Sequence, residues 1–169
     1  MRLIRLSCIA LIAVASLTAC SSSKKAATHS AKIEHIHKDL KSSLKDADVS
    51  YTKRGGVKVV YPEVAMFDFN KADIKPEAHI SFKSFASLLK DYPTLDIVIK
   101  GYTDNIGTDE VNLNLSQRRA DNSKDLLVEY GVAASRVSTK GLGSKKPVMS
   151  NTTADGRQMN RRVEFLIYD

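Results

Sequence analysis

The stretch 94-TLDIVIKGYTDNIGTDEVNLNLSQRRA-120 decides how the chain folds. Its first third, Thr94 to Tyr102, is a short, dense run of apolar and β-branched residues, which predicts a largely buried strand. Beyond it, Leu115, Ala120, Leu126, Leu127 and Tyr130 recur at helical spacing and predict a helix from about Asn114 to Tyr130, with Gly131 suited to close it. Asp104 then stands just past the C-terminal end of a central strand, where open α/β sheets keep their ligand sites. Arg119 sits in the early turns of the next helix, and a turn at Gly107 brings both side chains to one mouth.

A carboxylate accepts hydrogen bonds from an ammonium, and a guanidinium offers a planar fork to a carboxylate. Asp104 and Arg119 together are therefore complementary to the zwitterionic end of an amino acid. An Asp and an Arg this close also form structural ion pairs, and the residues alone leave both readings open.

Outward from this centre, 49-VSYTKRGGVKVVY-61 alternates apolar and polar residues around Gly55-Gly56 and reads as a β-hairpin. The segment 63-EVAMFDFN-70 leads into a loop. A helix follows, with Pro76 in its first turn, an apolar face of Ile80, Phe82, Phe85, Leu88 and Leu89, and Pro93 beyond its end. Strands at 136–143 and 161–168 flank a loop rich in Asn, Thr, Ser and Gly. This order predicts an α/β fold, a two-layer sandwich with helices on one face of a mixed β-sheet.

The N-terminus has a different organisation. Residues 1–19 join a short basic start to an apolar run, the layout of an export signal that is too short to span a bilayer. Residues 20–31 are small, polar and basic and predict a flexible tether. In 32–47, Ile33, Ile36, Leu40, Leu44 and Ala47 form a narrow apolar stripe on a helix. That stripe packs on its own domain, stays partly disordered, or serves as a short coiled coil or partner-binding helix, including one for a second copy. Residues 48–169 are then the single globular domain.

The formal charge is +7, but removing Arg2 and Arg5 with the signal leaves an excess of five basic groups. Export and so modest an excess argue against nucleic acid and favour an anionic wall polymer or lipid headgroup. No G-x-S-x-G elbow or His-based triad is present, and all four His lie outside the stretch around Asp104. His35 and His37 point to different helix faces with no ligand set around them, so no metal, cofactor or enzymatic activity is expected, and both are expected to face solvent.

Two resemblances add to this. Leu17-Thr18-Ala19-Cys20 resembles a bacterial lipobox, which implies lipidation of Cys20, and Ser21 in place of the inner-membrane retention Asp implies the outer membrane. With Cys8 removed alongside the signal, no thiol remains for a disulfide or a nucleophile. Second, 101-GYTDNIGTDEVNLNLSQRRA-120 with 130-YGVAASRVSTKGLGSKKPVMSNTTADGRQMNRRVEF-165 resembles the OmpA-like peptidoglycan-binding domain, over roughly Tyr61 to Tyr168. That domain is shared by OmpA proteins, peptidoglycan-associated lipoproteins and flagellar stator subunits.

The resemblance implies that Asp104 and Arg119 hold the free amine and carboxylate of diaminopimelate in the peptidoglycan stem peptide. It further implies Asn70 beside the ligand, Asp68 near it, Asn112 as a ligand-contacting or loop-fixing residue, Thr103 orienting Asp104, and Arg161 bordering the cleft. Each has a structural alternative: Asn112 and Asn114 capping the helix, Asp68 and Asn70 shaping a turn, Arg161 paired with an acid such as Asp109. The implied function is an outer-membrane lipoprotein, its domain in the periplasm, tethering that membrane to the wall. The alternative is a regulatory protein that couples wall binding to another envelope protein.

Overall fold

The computed structural model describes residues 17–169, with side chains from His29 onward. The segment 1–16 of the expected signal and the side chain of Cys20 lie outside the described residues.

The elements run α1 (Leu17–Ser43), β1 (Asp48–Tyr51), β2 (Val57–Pro62), α2 (Glu63–Met66), α3 (Ala78–Asp91), β3 (Asp96–Tyr102), α4 (Asp109–Glu129), β4 (Val137–Gly141), α5 (Ala154–Asn160) and β5 (Arg162–Tyr168). The strands form one sheet in the order β1-β2-β5-β3-β4, with β3 and β4 parallel and every other pair antiparallel. This is the mixed sheet covered by helices that the sequence predicts.

Strand alternation builds the core. Val57, Val59 and Tyr61 of β2, Ile97 and Ile99 of β3, and Val163, Phe165 and Ile167 of β5 are all buried in one apolar cluster with the helices. Phe165 meets Tyr61, Phe82 and Phe85 edge-on, with ring centroids 5.2–5.8 Å apart. Burial pushes the Tyr61 phenol up to about 12, so it stays neutral and shares a 2.9 Å hydrogen bond with Ser81. On the opposite face of β5, the Arg162 guanidinium lies 3.7 Å over the Tyr102 ring and donates to Glu164 at 2.8 Å.

Five expectations change. The helix predicted over 32–47 runs continuously from Leu17 to Ser43, taking in the predicted tether at 20–31, because Lys24 to Ala27 are good helix formers and no Gly or Pro interrupts them. It also belongs to the domain: Ile33, Ile36, Leu40 and Leu44 are buried in the common core, so the domain boundary at residue 48 is withdrawn. Among the described side chains of α1, from His29 to Ser43, the apolar stripe is used inside the molecule.

His35 is exposed as expected, but His37 stacks on Tyr51 with ring centroids 4.0 Å apart. Ile80 is 78% exposed, because the buried face of α3 is Ala78, Phe82, Phe85, Ala86 and Leu89, and Ile80 is half a turn out of phase with it. Finally, α4 begins at Asp109, five residues earlier than predicted. Thr108 is its N-cap and accepts from the Val111 amide, so neither Asn112 nor Asn114 caps it.

Candidate functional site

The register places three strand ends side by side. Pro62 pairs with Arg162, and Arg162 pairs with Tyr102, so β2 and β3 leave the sheet where β5 enters it. The adjoining residues Glu63, Arg161 and Thr103 are thereby brought to one edge, and the Glu63 amide donates to the Arg161 carbonyl at 2.9 Å. Helix α4 crosses above this edge. Its buried face carries Asn112, Ser116, Arg119 and Ala120, and small residues there let it approach β3 closely.

Two glycines set how close. A Cβ on Gly101 would lie 2.0 Å from the Ser116 carbonyl oxygen, and one on Gly141, its register partner, 2.5 Å from the Gln117 amide. Helix α4 therefore rests on bare backbone, which holds Arg119 one turn later down against the strand ends.

A cavity of about 480 Å³ opens here, lined by Asn70, Thr103, Asp104, Asn112, Arg119 and Arg161 together with Glu63, Arg157 and the apolar Phe69, Ile106, Val111 and Leu115. Six of the seven residues carried over from the family resemblance thus share one cavity. Asp68 stands outside this lining: its side chain is 73% exposed, lies 3.6 Å from Lys75, and lines an adjoining cavity with Glu63, Phe69 and Arg161. Asn70 does both things considered for it, since it adopts φ 57° in that turn and also lines the cavity.

The local bonds explain the postures. Asp104 Oδ1 accepts from the Ile106 amide at 2.9 Å, and the Asn112 side chain donates to the Ile106 carbonyl at 3.0 Å. Asn112 is therefore a loop-fixing residue of α4. Thr103 donates to the main-chain carbonyl of Asp104 at 2.9 Å, orienting that residue through its backbone.

Asp104 and Arg119 do not pair directly. Glu63, which the sequence reading did not single out, stands between two arginines: Arg119 Nη2 and Arg161 Nε each donate to its carboxylate. Arg161 Nη1 then donates to Asp104 Oδ2 at 2.8 Å, so Arg161 pairs with Asp104 and Glu63 and not with Asp109. The result is a line of alternating charge, Arg119, Glu63, Arg161, Asp104.

Arg119 is almost fully buried. Its Nε donates to the Lys71 carbonyl at 2.8 Å, and its guanidinium lies 5.0 Å from the Phe67 ring centre. Burial pulls the Arg119 pKa below its ordinary value, against the raising effect of Glu63. Burial also acts to lower Arg161, but hydrogen bonds to Asp104 and Glu63 more than offset it and leave that group raised. Arg118, by contrast, is exposed.

A cleft at strand ends, with the Asp104 carboxylate at one end of an ion-paired line and the Arg119 guanidinium at the other, defines a binding module for a small charged head group. The OmpA family model matches residues 66–161, more than half of the chain, and the chain belongs to the OmpA family. Its domain is an OmpA-like peptidoglycan-binding domain, a non-enzymatic class.

"Probable lipoprotein YiaD" of Escherichia coli K12 is 38% identical over 129 residues, 76% of this chain and 59% of that protein. The peptidoglycan-associated lipoprotein of Burkholderia pseudomallei superposes with a TM-score of 0.57 at 31% identity, over 60% of this chain and 86% of that one. A MotB-like protein from Desulfovibrio vulgaris has the same fold, with a TM-score of 0.74 at 21% identity over 81% of this chain and 91% of its own. The chain spans less than two thirds of the length of the curated relatives it matches first.

Proposed function

We propose that this chain binds the peptidoglycan stem peptide non-covalently through the free amino-acid end of diaminopimelate, and that a lipid on Cys20 holds it to the outer membrane. The protein then tethers membrane to wall from the periplasmic side. The observation that carries the reading is the charge order of the cavity floor, with Asp104 at one end, Arg119 at the other, and Arg161 and Glu63 between them. Asp104 keeps lone pairs for an ammonium beyond the two bonds it accepts, since each carboxylate oxygen takes two. The described hydrogen bonds use Nε and Nη2 of Arg119 and Nε and Nη1 of Arg161, which leaves Arg119 Nη1 and Arg161 Nη2 for a carboxylate. Phe69, Ile106 and Val111 supply apolar walls for the aliphatic chain of the diamino acid. A relative carrying the words peptidoglycan-associated lipoprotein in its name supports the same assignment.

Retention on isolated sacculi tests the reading. Asp104→Asn keeps shape and removes the charge that receives the ammonium, and it should lower retention roughly tenfold, the equivalent of about 1.4 kcal/mol. Retention equal to wild type would sink the assignment. Arg119→Ala is a poorer probe, because it empties a fully buried site, removes the bonds to Glu63 and to the Lys71 carbonyl, and unsettles the fold.

A further inference from the structure

Glu63 is the feature of the cleft that neither the sequence motifs nor the family match explains. It precedes the matched segment 66–161, opens the four-residue helix α2, and is only 8% exposed. A buried carboxylate costs free energy to desolvate, and one guanidinium would suffice to compensate it. Glu63 instead spans two, contributed by residues 56 and 98 positions away in the sequence.

The consequence is electrostatic. Arg119 and Arg161 bring two positive charges to the ion-paired floor, and Glu63 and Asp104 bring two negative ones, so the floor itself balances and Arg157 is left as the one further charge of the lining. Without Glu63 the floor would carry a net positive charge and would attract any carboxylate. Glu63 also occupies the guanidinium edges that a plain anion would use for a bidentate grip.

We infer that Glu63 is a specificity-determining residue: by holding the cleft floor neutral, it makes the site select a head group that carries an ammonium and a carboxylate together and reject one that carries the carboxylate alone. This rests on the diaminopimelate reading above. Selectivity here comes from a built-in repulsion toward the competitor as well as from contacts to the ligand.

The test is calorimetric titration of the full chain with three muropeptide probes. One has the free diaminopimelate end intact, one has its amine acetylated, and one has its carboxylate amidated. Wild type is expected to bind the intact probe roughly tenfold or more tightly than either modified probe. In Glu63→Gln the gap between the intact and acetylated probes should shrink by roughly tenfold, while the amidated probe weakens further. Glu63→Asp keeps the charge and should keep the wild-type order.

A purely structural role would weaken all three probes by one common factor, and that result overturns the inference. An unchanged ratio in Glu63→Gln does the same, as does wild type binding the acetylated probe as tightly as the intact one. If Glu63→Gln does not fold, the double variant Glu63→Gln/Arg161→Gln restores a neutral floor and should show the wild-type order. An acetylated-probe preference there overturns the inference. Wild type binding none of the probes removes the diaminopimelate reading itself, and the role of Glu63 with it.

Discussion

Replacing Gly101 by Ala should loosen both the fold and the cleft, because it drives a side-chain carbon into the backbone of α4. The added Cβ would stand 2.0 Å from the Ser116 carbonyl oxygen and 2.8 Å from its carbon, where ordinary contact begins at 3.4 Å. Helix α4 must therefore retreat by about 1.4 Å, and the contacting atoms are backbone, which no rotamer change can move aside. Overpacking typically costs 1–3 kcal/mol, and a backbone clash belongs at the top of that range, so a loss of about 3 kcal/mol is expected. For a domain of this size that lowers Tm by roughly 6–12 °C.

The same retreat carries Arg119 away from Glu63 and Lys71, far enough to break hydrogen bonds that need about 3 Å. Wall binding should then fall along with stability. Urea unfolding and sacculus retention measured on one preparation check both effects. A Gly101→Ala protein destabilised by less than about 1 kcal/mol, with retention intact, would refute the reasoning about how α4 is seated.

Two further outcomes follow from the fold. Leu40→Ala on α1 should cost about 2–5 kcal/mol in urea unfolding, while Lys41→Ala, exposed next to it, stays within about 0.5 kcal/mol; near-equal effects would mean that α1 is not part of the domain. Hydrogen bonds from Lys32 and His29 hold the Asp169 carboxyl below its ordinary value of 3.8, so the contribution of this contact is full above about pH 4 and is lost as pH falls through the depressed native value. Asp169→Asn should thus be slightly less stable than wild type at neutral pH, by less than about 1 kcal/mol as befits a surface pair, and the difference should vanish in acid.

The fold class was legible because strand and helix periodicities are local. The alternation in β2 and the apolar density of β3 hold in the structure, as does the spacing of Phe82, Phe85 and Leu89 in α3. Ile80 was misassigned for the same reason, since periodicity admits a residue of the right type at the wrong phase, and only packing rejects it. The start of α4 was read late because 109-DEVN-112 has no apolar stripe, and its buried member is the polar Asn112, held by the carbonyl of Ile106. An acidic pair directly after Thr108 was the available signal.

The sequence by itself determined that a strand ends just before Asp104 and that a helix carrying Arg119 follows, because both depend on residues within one short segment. Only the tertiary structure decided what those two charges meet. Glu63 and Arg161 come from chain segments far apart, joined where β2 and β5 run antiparallel. In the sequence Glu63 is an unremarked acid after a proline, because the charge that gives it meaning is supplied across the sheet. Whether the stripe of α1 faces a partner or its own core was likewise undecided by spacing, since an apolar face states that it must be covered and not by what. The core settled it, with Ile36 and Leu40 removed from solvent against residues that lie later in the chain.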